Sequence, residues 1–239
     1  MTPRTVVAPL PMLRWSTMPS DALSVKDTPA RPRLRGWLHA LAVPAALVVA
    51  VWLARLAEAG APRVSVAVFG VGLVALYAVS GAYHVPRWPA RVRTLLGRMD
   101  VAMIQLFIAA SFTPFAVHVL QGTWRTVSLV VAWTIAVIGA VVAASPLKGP
   151  RWLGVAGFVA FGALGAVPLL RMLDRLPLPA IALVVAGGLV YLLGGIVYAR
   201  RRPDPWPEWL GFHEVFHGMV VLASAAHVVA IWRYVLPLA

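Results

Sequence analysis

The stretch "VSVAVFGVGLVALYAVSGAYHVPRW" (residues 64–88) decides the class to which this protein belongs. It is apolar and free of charged residues up to His84, and it then ends in proline and arginine. A run of about 20 apolar residues is what an α-helix needs to cross a lipid bilayer. Ser80 and His84 stand one helical turn apart at the polar end of this run, which indicates that the end carries chemistry.

The composition of the whole chain matches this stretch. Hydrophobic residues make up 61% of the 239 positions and charged residues only 12%. A soluble domain cannot bury so much apolar surface, so the composition indicates a protein dissolved in lipid. The formal net charge is +13, but the basic residues cluster between apolar runs, which indicates membrane orientation rather than nucleic-acid binding. The chain has no cysteine, which excludes disulfides and thiolate metal sites.

Seven apolar runs are long enough to span a membrane, and the breaks between them are short and rich in proline, glycine or arginine. The runs cover residues 37–56, 64–84, 100–120, 125–145, 152–170, 179–199 and 213–235. The alternation typical of a transmembrane β-barrel is missing. We therefore predict an all-α, seven-transmembrane-helix bundle over residues 36–239. A disordered, basic cytoplasmic tail is predicted over residues 1–35.

Lysine and arginine residues predict how this bundle is oriented. With the runs threaded alternately through the membrane, fifteen of these residues fall on the side of the N-terminal tail and six on the other side. Positive charge is retained on the cytoplasmic side. The N-terminus is therefore predicted to be cytoplasmic and the C-terminus extracytoplasmic, in a multi-pass protein of the cell membrane.

The same threading gathers polar residues at the cytoplasmic end of three spans. Ser80 and His84 close the second span, Asp100 opens the third, and His213 and His217 open the seventh. Two histidines one turn apart can chelate one ion, and a third from another helix completes the protein part of a catalytic zinc site. We predict Zn²⁺ bound by these three histidines. Asp100 would either support a ligand from behind or accept the proton of the water.

The remaining histidines receive weaker interpretations. His39 begins the first span at the same depth, where it either lies at the membrane interface or touches the rim of the site. His118 falls at the opposite, outer end of the third span, so it cannot be part of the metal site. His227 is ten residues beyond His217, about 15 Å deeper at 1.5 Å per residue, which favours a structural hydrogen bond.

The letters "HEVFH" (213–217) also match H-E-x-x-H, the zinc-protease motif in which the glutamate is the general base. Glu214 would then be catalytic and the protein an intramembrane protease. The protease scheme needs a third metal ligand from elsewhere in the chain. The scheme described above already has His84 as third ligand and Asp100 as the acid. The alternative for Glu214 is that it faces the basic loops.

Five stretches of the chain together resemble the hemolysin III group of the progestin and adiponectin receptor family. They are "RLRGWLHALAVP" (33–44), "SGAYH" (80–84), "RMDVAMIQLFIAASFTPF" (98–115), "GGLVYLLGGIVY" (187–198) and "HEVFHGMVVLASAAH" (213–227). The resemblance implies a seven-helix fold with a cytoplasm-facing zinc held by His84, His213 and His217, with Ser80 and Asp100 near the metal. The wider superfamily includes alkaline ceramidases, which implies hydrolysis of lipid amides.

These observations lead to three hypotheses for function. The first is a zinc-dependent hydrolase of a membrane lipid such as an N-acyl amide. In it, Asp100 accepts a proton or orients the nucleophile, and Ser80 hydrogen-bonds the attacked oxygen or the metal-bound water. Its acyl chain would lie in the bundle interior, and the basic rim would attract anionic headgroups. The second is a receptor-like or pore-forming protein in which zinc only joins the second and seventh helices. The third is the intramembrane protease that uses Glu214.

Overall fold

The computed structural model of the protein describes residues 31–146 and 151–238. Eight α-helices lie in these ranges: α1 Trp37–Leu56, α2 Ala61–His84, α3 Ala90–Val119, α4 Gly122–Ala144, α5 Arg151–Leu164, α6 Ala166–Leu170, α7 Leu178–Arg200 and α8 Phe212–Ala230. A π-helical turn (Ile231–Val235) and a 3₁₀ turn (Leu236–Leu238) continue α8. Because these ranges contain no strand, the all-α prediction is confirmed.

Most of the tail predicted over residues 1–35 lies outside the described residues, which begin at residue 31. One compact unit extends from Pro32 to the end of the chain. Residues 32–36 therefore belong structurally to the helical bundle, and they return below as part of the candidate site.

Six of the helical segments are long and apolar enough to cross a membrane: α1, α2, α3, α4, α7, and α8 with its terminal turns. Except at the start of α3, their bounds follow the predicted apolar runs closely, and α1 coincides with the predicted span 37–56. The chain is a multi-pass membrane protein, as its composition predicts, and we expect it in the cell membrane.

The fifth predicted span, 152–170, is not one continuous helix but the pair α5 and α6, interrupted at Gly165. The cause is Pro168, which has no N–H and whose ring clashes with the carbonyl of residue 164 in a continuous helix. The chain forms a tighter turn there instead, in which the Gly165 N–H donates to the Gly162 carbonyl at 3.1 Å. The apolar part of this segment, Gly154–Leu170, is shorter than the six long spans.

This interrupted segment still crosses the bundle. His84 at the end of α2 and His213 at the start of α8 are in contact, so these two helix ends lie at the same end of the bundle. The end of α7 lies there too, since a short loop joins it to α8, and so does the end of α4, which returns alongside α3. The α5–α6 pair must therefore connect this end to the other, which gives seven passes.

The third helix begins ten residues earlier than the span predicted over 100–120, at Ala90 after Pro89. Its first turns carry arginines, Arg91 and Arg93 among them, that are exposed and too polar for the hydrocarbon core. An apolar run measures the part of a helix that lies in lipid and not the whole helix. Asp100 consequently lies inside α3 and not at its start.

Burial differs between the central and the outer helices. The apolar windows of α2 and α3 are 56% and 50% buried, against 17% for those of α1, α4 and α7. The outer helices thus present their apolar side chains to lipid, and α2 forms the centre of the bundle. Near its polar end, Gly81 lets α1 approach closely, since a Cβ there would lie 3.1 Å from the Ala40 Cα.

The orientation in the membrane can be tested with reporter fusions in a bacterial host. We expect alkaline phosphatase fused after residue 239 to be active and green fluorescent protein fused there to be dark, since the distribution of lysine and arginine predicts an external C-terminus. Fusions placed after Ala144, at the end of α4, should show the opposite pattern. Active phosphatase after residue 144 together with inactive phosphatase after residue 239 would contradict the predicted topology and indicate the opposite orientation.

Candidate metal centre

Three buried histidines meet at one end of the bundle: His84 from α2, and His213 and His217 from α8. One ring nitrogen of each lies within 4.8 Å of those of the other two. The Nε2 atoms of His84 and His213 are 3.1 Å apart. The ring centroids of His213 and His217 are 4.6 Å apart, as expected for residues one helical turn apart.

This arrangement fits a zinc ion. Zn–N bonds of about 2.0–2.1 Å in tetrahedral geometry place neighbouring ligand nitrogens about 3.4 Å apart. The observed separation of 3.1 Å between His84 and His213 is close to that value. Three protein ligands also leave a fourth position open, which is the arrangement of catalytic rather than structural zinc sites. Within the described ranges, these histidines form the one group that could hold a metal ion.

Local structure determines where α2 ends and where α8 begins, next to the histidines that each helix carries. Pro86, which cannot continue a helical hydrogen-bond ladder, follows His84 after one residue and ends α2. At the start of α8, the Phe212 N–H donates to Asp204 Oδ1 at 2.9 Å, and the Gly211 N–H donates to Glu214 Oε2 at 2.9 Å. These caps satisfy donors that a helix start leaves free, so α8 begins one residue before its first ligand.

Asp100 lies beside the histidine cluster. Its Oδ2 is 3.3 Å from Nε2 of His84, the same nitrogen that faces His213. A carboxylate that supports a metal ligand from behind would contact the other ring nitrogen. The position of Asp100 on the ligand side therefore favours proton transfer over support from behind.

Ser80 lies one turn before His84 on α2 and is almost fully buried, with 1% exposure. Its Oγ has no hydrogen-bond partner among the residues that the structure describes. A buried hydroxyl without a partner is uncommon, because it loses its hydrogen bonds to water. Ser80 thus offers a free donor and acceptor on the interior side of the cluster.

Glu214, the acid of the H-E-x-x-H motif, is engaged elsewhere. Its side chain is fully buried, and Oε1 forms an ion pair with Arg35 Nε at 2.7 Å. Oε2 accepts from the backbone of Gly211. One carboxylate oxygen is therefore ion-paired, without a hydrogen bond among the described residues, and the other accepts a hydrogen bond, as expected if Glu214 faces a basic segment.

His39 lies closer to the histidine cluster than the sequence predicts. It is buried, and its ring stacks on that of His217 with 3.9 Å between centroids and 4° between planes. Arg35 and Gly36, just before it, also reach the cluster, and sequence reasoning overlooked both. The one signal available was that all three precede or begin the first span at the depth of the site.

The other two histidines lie away from the cluster. His118 is buried near the opposite end of α3, 18 residues and about 27 Å along the helix from Asp100. His227 is packed inside the bundle, where its Nε2 lies 3.5 Å from the Val184 carbonyl of α7. That contact accords with the structural hydrogen bond predicted for it.

A seven-pass helical membrane protein with three histidines and one aspartate at one end of the bundle is the class that this fold and cluster define. The chain belongs to the family described as "Haemolysin-III related", which matches residues 28–228, and the family resemblance seen in the sequence is thereby confirmed.

Individual relatives extend over most of the chain. It is 26% identical over 215 residues to "Hemolysin-3" of Bacillus cereus, covering 90% of this chain and 94% of that one. It is 31% identical over 196 residues to "Heptahelical transmembrane protein ADIPOR2" of Oryza sativa subsp. japonica, covering 73% and 85%. It is 26% identical over 202 residues to "Monocyte to macrophage differentiation factor" of Homo sapiens, covering 83% and 82%.

The metal centre predicts a specific pattern of zinc content. The purified protein should contain about one zinc ion per chain. Replacing His84, His213 or His217 by alanine should weaken binding by more than about 100-fold, because even residues that only support a ligand contribute 10–100-fold. Elemental analysis and competition with a chelator measure this. His118→Ala is the matched control, and equal loss of zinc in that variant would contradict the assignment.

Proposed function

We propose that this protein is a zinc-dependent hydrolase that cleaves the amide bond of a membrane lipid at the cytoplasmic end of its helical bundle. The observation that carries the proposal is the joint position of Asp100 and the three imidazoles, with the Asp100 carboxylate 3.3 Å from a ligand nitrogen. A structural zinc needs four protein ligands and no neighbouring base, whereas a hydrolytic site needs an open position and a proton acceptor.

The residues around the cluster supply the parts that amide hydrolysis needs. Zinc held by the three histidines would act as a Lewis acid and would make water nucleophilic near neutral pH. Asp100 would take the proton that the attacking water loses and pass it to the leaving nitrogen. The Ser80 hydroxyl would donate a hydrogen bond to the carbonyl oxygen as negative charge develops there. The water oxygen bonds to the carbonyl carbon, the C–N bond breaks, and a carboxylic acid and an amine result.

A lipid substrate is supported by where the cluster lies. The cluster lies at the end of long apolar helices, so it would lie close to the headgroup end of a lipid whose acyl chain is in the bilayer. Ser80 lies about 6 Å further into the bundle than His84, one turn of α2, on the side from which such a chain would come.

A basic cavity near the same end supports recognition of an anionic headgroup. It has a volume of about 920 Å³ and is lined by Arg200, Arg201 and Arg202 together with Ile196, Pro203, Asp204 and Pro207. Clustered arginines at the membrane surface attract anionic lipids. Asp204 also caps α8 immediately before His213, so the cavity and the metal centre share one loop.

The two alternatives are less well supported. The protease scheme requires a free Glu214, but both oxygens of this carboxylate are engaged. A non-enzymatic role with a purely structural zinc, such as the lytic activity that the name Hemolysin-3 describes for a relative, gives Asp100 and Ser80 no part to play. That role remains the outcome to expect if zinc stabilises the fold without supporting turnover.

Asp100→Asn tests the catalytic assignment. Because asparagine cannot accept the proton, we expect fatty-acid release from a long-chain N-acyl amide in detergent micelles to fall by about 10²–10⁴-fold, while zinc content stays unchanged. Asp174→Asn is the matched control, since Asp174 is exposed and lies before α7, at the opposite end of the bundle. Glu214→Gln should retain turnover at saturating zinc, and its complete inactivation there would favour the protease scheme.

The basic cavity gives a further prediction. Replacing Arg200, Arg201 and Arg202 together by glutamine should weaken binding of phosphatidylglycerol by about 10-fold or more, because each arginine near an anionic surface contributes about 1 kcal/mol. Native mass spectrometry in detergent measures this binding. The matched control replaces Arg87, which lies between α2 and α3, together with Arg91 and Arg93 in the first turn of α3. Equal weakening in both variants would show general basicity and no specific cavity.

A further inference from the structure

Residues 32–39 run across the end of the bundle that holds the metal centre and contact both ligand-bearing helices. We call this stretch the brace. Its backbone is anchored to the α7–α8 loop, where the Arg33 N–H donates to the Glu208 carbonyl at 2.9 Å and the Leu34 N–H to the Trp209 carbonyl at 3.2 Å. The Arg33 guanidinium also lies over the Trp209 ring, 4.6 Å from its centroid. The brace is thus an ordered part of the bundle.

Its first contact with the site is the ion pair between Arg35 and Glu214. The distance from Arg35 Nε to Glu214 Oε1 is 2.7 Å, and the glutamate side chain is fully buried. Glu214 lies between the two ligands of α8, His213 and His217. A buried carboxylate without a partner is strongly destabilising, so Arg35 is what permits a charged residue at this position.

The second contact is that between Gly36 and His84. Gly36 has a left-handed backbone with φ of +82°. A Cβ at this position would lie 2.3 Å from the His84 Cβ, closer than such atoms approach each other, and 3.2 Å from the His84 Cα, which is a tight contact. Glycine is therefore required twice over, for the backbone conformation and for the space. The brace rests directly on the end of α2 from which His84 projects.

The third contact is the stacking of His39 on His217 described above. The parallel rings, 3.9 Å apart, leave the His217 ring little freedom to tilt. Three residues of the brace therefore contact the site. Arg35 pairs with Glu214 at the start of α8, Gly36 packs against His84 at the end of α2, and His39 stacks on the His217 ring.

We propose that the brace positions the metal ligands, with the Arg35–Glu214 ion pair and the Gly36–His84 contact as its two fixed points. Holding the ends of α2 and α8 in place before metal binds removes an ordering cost that binding would otherwise carry. In this role Glu214 is a positioning residue and not a base. The inference rests on the metal centre that underlies the proposed function, but not on hydrolysis.

The ion pair is tested by a cycle of variants on the full-length protein in detergent, with zinc affinity as the readout. Arg35→Gln should weaken zinc binding by about 10–100-fold, the range known for residues that support metal ligands. Arg35→Lys keeps the charge and should recover part of the loss. The double variant Arg35→Gln with Glu214→Gln should bind zinc better than Arg35→Gln alone, because no buried carboxylate is left unpaired. Purely additive losses would contradict the ion-pair role.

Arg63→Gln is the matched control, because Arg63 also bonds inside the structure, to the Ala57 carbonyl at 3.0 Å, but at the other end of the bundle. It should leave zinc affinity unchanged even where it lowers the melting temperature of the metal-free protein. The visible spectrum of bound Co²⁺ should change in Arg35→Gln and stay as in the wild type in Arg63→Gln, since it reports ligand geometry.

Gly36→Ala tests the second fixed point and should also weaken zinc binding. Its matched control is Gly60→Ala, since Gly60 also has a positive φ, +93°, but a Cβ there meets no atom within 4 Å. Wild-type zinc affinity in both Arg35→Gln and Gly36→Ala would overturn the brace while leaving the metal centre intact. Failure of the wild-type protein to bind zinc would instead overturn the metal centre and with it the proposed function.

Discussion

Two histidines that are 129 residues apart in sequence meet with their Nε2 atoms 3.1 Å apart, and the arrangement of the bundle depends on this meeting. It places the end of α2 and the start of α8 at the same end. The order of the helices then requires the interrupted α5–α6 segment to cross the bundle. It also brings Asp100, Ser80 and the brace to one place. Imidazoles at the end of a membrane helix need polar partners, and here they are partners for one another.

Lipid as the solvent explains why the polar cluster lies at the end of the bundle and on helix faces that the bundle protects. Outer helices such as α1, α4 and α7 expose most of their apolar windows, so a polar side chain on them would face hydrocarbon. The helices α2 and α3 are half buried and can carry Ser80, His84 and Asp100 on protected faces. His213 and His217 are buried although the window of α8 is only 33% buried, and His39 on α1 is accommodated because it stacks on His217.

Much of this could be predicted from the sequence, and what could not has a physical reason. Apolar runs predict spans because hydrocarbon thickness sets their length, and the one-turn spacing of His213 and His217 predicts that both point to one ion. The break at Gly165 is a local effect of Pro168 that a hydropathy run does not register. The extension of α3 back to Ala90 is helix outside lipid, on which hydropathy is silent. The tertiary partners of Glu214 and Gly36 depend on segments distant in sequence.

Glu214 shows how a motif acquires its meaning from the residues around it. In a zinc protease the glutamate of H-E-x-x-H must be free to accept a proton from water. Here the glutamate of the same motif is ion-paired with Arg35 through one oxygen and accepts a hydrogen bond from the start of α8 through the other. The acid that faces the ligand nitrogens is instead Asp100, which comes from another helix and belongs to no local motif. The proposed function therefore takes Asp100 as the base, while Glu214 pairs with Arg35 and caps the helix that carries two of the histidines.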